Sequence, residues 1–166
     1  YGIPGGAGPS VKTTPVPEPP PRVNTRWVDL TGGNDANDGL SKSTAWKTLR
    51  DKASSVPSDC EIIFVDGTHT IDTYIYATWG GVTPQRLPAN VTIRGESFRG
   101  CQIVNSNASA TGSDSLLFAF MGDTEQAEID VEVYGLVLEA PCHYLGVILF
   151  NNNNTGIRLI GNRIVP

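Results

Sequence analysis

The sequence predicts an all-β chain wound as a right-handed parallel β-helix, a solenoid behind a short capping helix and an extended proline-rich leader. Three observations carry this reading. Short segments of alternating apolar residues recur from Ile62 to Val165, each closed by a single Gly or Asn. An apolar fraction of 39% against 17% charged residues supports a packed core rather than a disordered chain. The recurring unit is a four-residue strand, a Gly and another short strand, which suits the sides of a three-sided coil better than a hairpin.

The elements follow in order. Residues 1–22 hold seven of the twelve prolines and end in Pro19-Pro20-Pro21. Such a run neither continues a helix nor enters a central strand, and it favours extended polyproline II. Residues 1–25 therefore read as a leader, either a semi-rigid linker to something upstream or an arm laid along a neighbouring subunit. Residues 26–166 read as the β-helix with its cap. Trp27-Val28-Asp29-Leu30 looks like a strand, and Thr31 to Gly39 is rich in residues that tolerate left-handed geometry. Ser43 to Ala53 is expected to be a helix, with Ser43 as N-cap and Trp46, Leu49 and Ala53 on one apolar stripe. A solenoid exposes an apolar cross-section at its first coil, and a helix over Thr44–Ala53 would cover it.

The strands expected next are Ile62–Val65, Val91–Gly95, Gln102–Val104, Leu116–Phe120, Val131–Gly135, Leu136–Leu138, Val147–Phe150, Ile157–Gly161 and Arg163–Val165. Aligned on their first strands, the coils place Val91, Val131 and Ile157 in one inward stack and Ile93, Val133 and Leu159 in the next. Thr92, Glu132 and Arg158 then share an outward row. Glu132 and Arg158 would sit about 5 Å apart as an exposed ion pair or as the edge of a sugar-binding groove. A β-sandwich is the competing architecture, since it too spaces short strands at regular intervals.

Charge and composition exclude several functions. A formal net charge of −5 and a pI near 4.9 leave no basic patch for nucleic acid. No apolar window is long enough for a membrane span, and no signal peptide is visible after Tyr1. Cys60, Cys101 and Cys142 lie too far apart for a zinc pattern and read as buried thiols or one disulfide.

The stretch Trp27-Val-Asp-Leu-Thr-Gly-Gly-Asn-Asp-Ala-Asn-Asp-Gly39, with Ala45-Trp-Lys-Thr-Leu49, Val65-Asp-Gly-Thr68 and Val91-Thr-Ile-Arg-Gly95, resembles the N-terminal cap of pectate-lyase-like β-helix proteins. That superfamily includes secreted polysaccharide lyases and phage tailspikes. The resemblance covers residues 26–166 and implies an extracellular, glycan-directed protein whose chemistry sits on middle coils. This chain supplies about three coils and ends just after a strand. The expectation is a β-helix truncated at its C-terminus, with active coils beyond residue 166, or an open end covered by another subunit.

No catalytic residue stands out. Asp29, Asp35, Asn37 and Asp38 could offer oxygens to calcium, although turn chemistry explains them without an ion; no other cofactor is expected. Asp130 and Glu132 could bind a cation or a sugar, or simply face solvent. His69 and His143 have no partner constellation in sequence. Asn151–Asn154 reads as a corner ladder of asparagines. Tyr74, Tyr76 and Trp79 either stack on sugar rings or pack over the first coil. Asn90-Val-Thr92, Asn107-Ala-Ser109 and Asn153-Asn-Thr155 match the glycosylation acceptor pattern. The functional expectation is a virion or cell-surface protein of tailspike type, a trimer tethered through its leader and directed at host or environmental polysaccharide. A secreted polysaccharide lyase and a purely structural β-helix module of a fibre or shell are the alternatives.

Overall fold

In the computed structural model the described residues are 15–77, 87–107, 117–121, 131–139, 148–151 and 157–165. Strands dominate them, and all lie in parallel sheets. One five-stranded sheet runs in the order β1 (Asn24–Val28), β2 (Cys60–Phe64), β5 (Val91–Gly95), β8 (Val131–Tyr134) and β11 (Arg158–Ile160). A second holds β3 (Gly67–Ile71), β6 (Cys101–Asn105), β9 (Val137–Glu139) and β12 (Arg163–Val165). The third holds β4 (Tyr76–Ala77), β7 (Phe118–Met121) and β10 (Ile148–Asn151). From β2 onward the chain visits the first, second and third sheets in rotation. Parallel neighbours need a long crossover; here the other two sheets lie on the path of each one.

Strand alternation explains the core. Cys60, Ile62 and Phe64 in β2 are fully buried, as are Val91 and Ile93 in β5 and Val131 and Val133 in β8. Their registers match, with Cys60 opposite Val91 and Val91 opposite Val131. Ile62, Ile93, Val133 and Leu159 form the parallel column. Both inward stacks read from the sequence thus exist in β5 and β8 and extend back into β2. Ile157 packs against the core just before β11, while Leu159 is 40% exposed in the last strand of its sheet. Cys101, Ile103, Leu138, Tyr76 and Phe118 bring the second and third sheets into the same apolar cluster.

Corners are fixed by backbone geometry. Gly135 and Gly161 have φ values of +61° and +65°, a region that L side chains rarely adopt. A Cβ at either would lie 2.8 Å from the Phe98 ring. Asn162, between β11 and β12, ties this corner to the one between β8 and β9: its Oδ1 accepts from the Leu136 N–H at 2.9 Å and its Nδ2 donates to the Val133 carbonyl at 2.7 Å. This is the corner role expected of Asn151–Asn154, of which Asn151 ends β10 and 152–154 fall outside the described residues.

The expected helix over Ser43–Ala53 is absent. A single 3-10 turn covers Lys42–Thr44 and another covers Ala53–Ser55. Ser41, not Ser43, caps the first: Ser41 Oγ accepts from the Thr44 N–H, and Thr44 Oγ1 accepts from the Ser41 N–H. Between the turns the backbone is engaged elsewhere. Trp46 donates its N–H to the Trp27 carbonyl at 2.9 Å and accepts from Asp29 N–H at 2.8 Å, pairing with β1. Asp35 Oδ1 takes the N–H groups of Lys47 and Thr48, both at 2.8 Å. An apolar stripe therefore formed without helical hydrogen bonds. Trp46, Leu49 and Ala53 are still buried in the core cluster beside Val28. The sequence also concealed β3 and β4, and β1 starts at Asn24, ahead of the expected Trp27.

Cys60 and Cys101 are free and buried; Cys142 lies outside the described residues. Burial pushes the Cys60 thiol up to about 11 and the Cys101 thiol up to about 12, from 9.0. Two predictions follow from the core. Ile93→Ala should cost about 2–5 kcal/mol in urea unfolding, whereas Leu159→Ala should cost about 1 kcal/mol or less; equal losses would contradict the stacking. Because both thiols titrate higher folded than unfolded, their contribution to stability is complete below about pH 9 and falls as pH rises through 11 to 12. Cys101→Ala should flatten that alkaline slope, and a thiol reagent at pH 8 should label both residues only in the unfolded chain.

Candidate functional site

Three segments far apart in sequence meet beside the first strands of the parallel sheets. They are the turn after β1, the irregular run Lys47–Arg50 and the corner from Thr70 to Ile75. Together they bound a cleft of about 430 Å³. Each wall has a local cause. Asp29 Oδ1 accepts the N–H groups of Thr31 and Gly32 at 3.0 and 2.9 Å, which closes the first turn. Asp35 holds the second wall by its two backbone contacts, and its Oδ2 accepts from Thr48 Oγ1 at 3.0 Å. The third wall emerges from β3.

The cleft presents hydroxyls, cations and one aromatic ring. The Arg50 guanidinium lies 5.4 Å from the centre of the Tyr74 ring. Lys47, Thr48, Thr70, Asp72 and Thr73 complete the polar lining, with Leu30, Leu49, Ile71 and Ile75 as its apolar part. A flat ring beside a guanidinium, ringed by hydroxyls, can stack on a sugar face while pairing with its substituents.

His69 lies behind this cleft rather than in it. It is 4% exposed and faces inward opposite Ile103. Its Nε2 sits 2.8 Å from the Val65 carbonyl, which can only accept. The neutral ring therefore carries its proton on Nε2, and Nδ1 accepts from the Thr31 hydroxyl at 2.9 Å. Asp29 Oδ1 lies 4.0 Å from Nδ1. The fold thus supplies partners that the sequence did not reveal, and they pin the Asp29 turn to the corner between β2 and β3. His143 falls outside the described residues.

The four candidate calcium ligands serve the turn. Asp38 Oδ1 accepts from the Leu40 N–H at 3.0 Å and from Thr44 Oγ1 at 2.6 Å. The Thr44 hydroxyl and the Leu40 N–H hold the Asp38 carboxyl below its usual range. Asn37 donates from Nδ2 to the Ala45 carbonyl, and its own carbonyl accepts from Trp46 Nε1. Among the described residues no group of three or more His, Cys, Asp or Glu side chains could hold a metal ion. No described helix is long and apolar enough to cross a membrane.

The outward row of the first sheet is in register as expected, Thr92 opposite Glu132 opposite Arg158. Its environment differs from that of an exposed pair. Glu132 is 4% exposed and Thr92 is fully buried, because Arg22 of the leader lies over them. Arg158 Nε bonds Glu132 Oε1 at 2.8 Å. Asp130 lies outside the described residues. Of the aromatics, Tyr76 is buried with its hydroxyl accepting from the Leu87 N–H, Tyr74 lines the cleft, and Trp79 is outside the described residues.

Comparison of the chain with family models, curated proteins and solved structures gives no match. The sequence did not single out Lys47, Arg50 or Arg22. Arg50 and Lys47 were hidden in an expected helix, and Arg22 reaches a partner 70 residues away.

Proposed function

We propose that this chain forms a right-handed parallel β-helix of tailspike type, exposed on a virion or cell surface and directed at polysaccharide. The cleft between Arg50, Lys47 and Tyr74 is its first glycan contact. The solenoid reading is supported by strands that rotate through three parallel sheets around one apolar cluster. Its right hand follows from the general rule for parallel crossovers. The glycan reading is carried by the guanidinium-on-tyrosine pair in a hydroxyl-lined cleft. Lys47 and Arg50, the latter paired on one side with Asp51 at 3.4 Å, outnumber the single lining carboxylate, Asp72, and favour a sugar bearing carboxylates over a neutral one.

In this reading the cleft binds and orients; it does no chemistry of its own. Lys47 and Arg50 pair with carboxylates, Tyr74 takes a sugar ring, and the threonine hydroxyls exchange hydrogen bonds with ring hydroxyls. A secreted polysaccharide lyase is the alternative, enzymatic reading; release of unsaturated uronate from pectate or alginate would mark it. A structural module would bind no glycan, and a tailspike assembly would sediment as a trimer.

The test is binding of pectate, alginate and a neutral glucan to the full chain by calorimetry. Arg50→Ala and Tyr74→Ala should each weaken binding of the acidic polymers by about tenfold, a loss of about 1.4 kcal/mol. Neither should lower the unfolding midpoint by more than a surface substitution does. Binding that survives both substitutions unchanged would remove the cleft from the proposal.

A further inference from the structure

We propose that the outer face of the first sheet is a docking site for a proline-rich segment ending in arginine, and that the chain's own leader is its occupant in cis. The outward faces of parallel strands become buried only when something covers them. Here the cover is residues 16–22, which carry no regular structure of their own.

The arginine end is the better defined. Arg22 Nε donates to Thr92 Oγ1 at 3.0 Å, Nη2 lies 3.5 Å from Glu132 Oε2, and Nη1 lies 3.7 Å from Asp59 Oδ1. These three acceptors come from the turn before β2, from β5 and from β8, so one guanidinium spans three successive coils. The neighbouring charges select this carboxylate. Glu61, beside Thr92 in the same row, is already taken by Arg94 Nε at 2.6 Å. Glu132 gives Oε1 to Arg158 and leaves Oε2 for Arg22 and the Thr92 hydroxyl. A planar fork fits this divergent set of oxygens, and a lysine ammonium does not.

The proline end meets an aromatic wall. Phe98 and Tyr134 lie 5.5 Å apart by ring centres, and Phe98 remains 47% exposed. Pro19 and Pro21 face them across a groove of about 690 Å³. Further out, Val16 approaches the corner at Gly161, where a Cβ would meet it at 2.9 Å. Prolines leave no N–H groups wanting partners, and they lose little entropy on docking. A carboxylate that receives an arginine, beside two rings that border the same groove as the neighbouring prolines, gives the elements of a peptide-recognition groove. The covalent link from Val23 into β1 raises the effective concentration of the occupant.

The test uses the full chain. Trypsin must take the Arg22 side chain into its own pocket, so a docked guanidinium protects the Arg22–Val23 bond. Cleavage there, normalised to a free peptide of residues 15–26, should be at least about tenfold slower in the native chain than in Glu132→Gln or Arg22→Lys, each normalised likewise. Arg22→Lys leaves the sheet untouched, so it stands even if Glu132→Gln fails to fold. A native chain cut at the peptide's rate, or equally protected in both variants, overturns the proposal. A fluorescent peptide of residues 15–23 should also bind the Arg22→Ala chain about tenfold more tightly than the native chain, whose arginine position on Thr92 and Glu132 is already occupied. Equal binding, or none, overturns it as well.

Discussion

Register between successive strands of each parallel sheet is the constraint on which the rest of the structure depends. Each first-sheet strand sits residue over residue on the one before, from Cys60 on Val91 to Val91 on Val131. Because side chains alternate, a slip of one position would turn Ile93 and Val133 to solvent and bring Thr92 and Glu132 inside. The apolar stacks therefore fix the outward row as firmly as they fix the core. The sheets do not require coils of equal length. Thr92 and Glu132 are 40 residues apart, while Glu132 and Arg158 are 26 apart. The difference is absorbed between strands, which keep their register throughout.

This explains which parts of the fold were legible in the sequence. Strands such as Val91–Gly95 announce themselves by alternation and a closing glycine, and aligning them yields the stacks directly. β3 was missed because Gly67-Thr-His-Thr-Ile71 inverts the usual chemistry: its buried inward residue is a histidine, and its exposed ones are threonines. Nothing local says that His69 can be buried, since its Thr31 partner lies 38 residues away. The helix over Ser43–Ala53 failed for a related reason. Its apolar spacing was real, and all three stripe residues are buried. The competing hydrogen bonds came from Trp27, Asp29 and Asp35, outside the window in which periodicity is read.

The candidate site was less legible than the fold because its parts are long-range by construction. Tyr74 was recognisable as an aromatic in a loop. Its juxtaposition with Arg50 depends on the irregular bends that follow the Trp46 bridge to β1, which set Arg50 beside the Tyr74 ring. The acidic turn has a similar double character. Asp29 and Asp35 receive backbone N–H groups, the turn role that the sequence also offered for them, and in doing so they build two walls of the cleft. Asp29 and Asp35 thus shape the site without entering it.

The cleft and the leader groove share no lining residues, yet both are made by arginines that join segments distant in the chain. Arg50 brings the irregular run after Trp46 against the corner that follows β3, and Arg22 brings the leader against β5, β8 and the turn before β2. A surface pair of this kind contributes little on its own in water. Arg22 differs because its partners are largely buried: removing it would leave Glu132 with one cation and Thr92 Oγ1 without its donor. The leader is consequently held by a few specific atoms rather than by a broad apolar patch. Contact of that kind can be made and broken while the coils beneath stay folded, because none of their inward residues takes part in it.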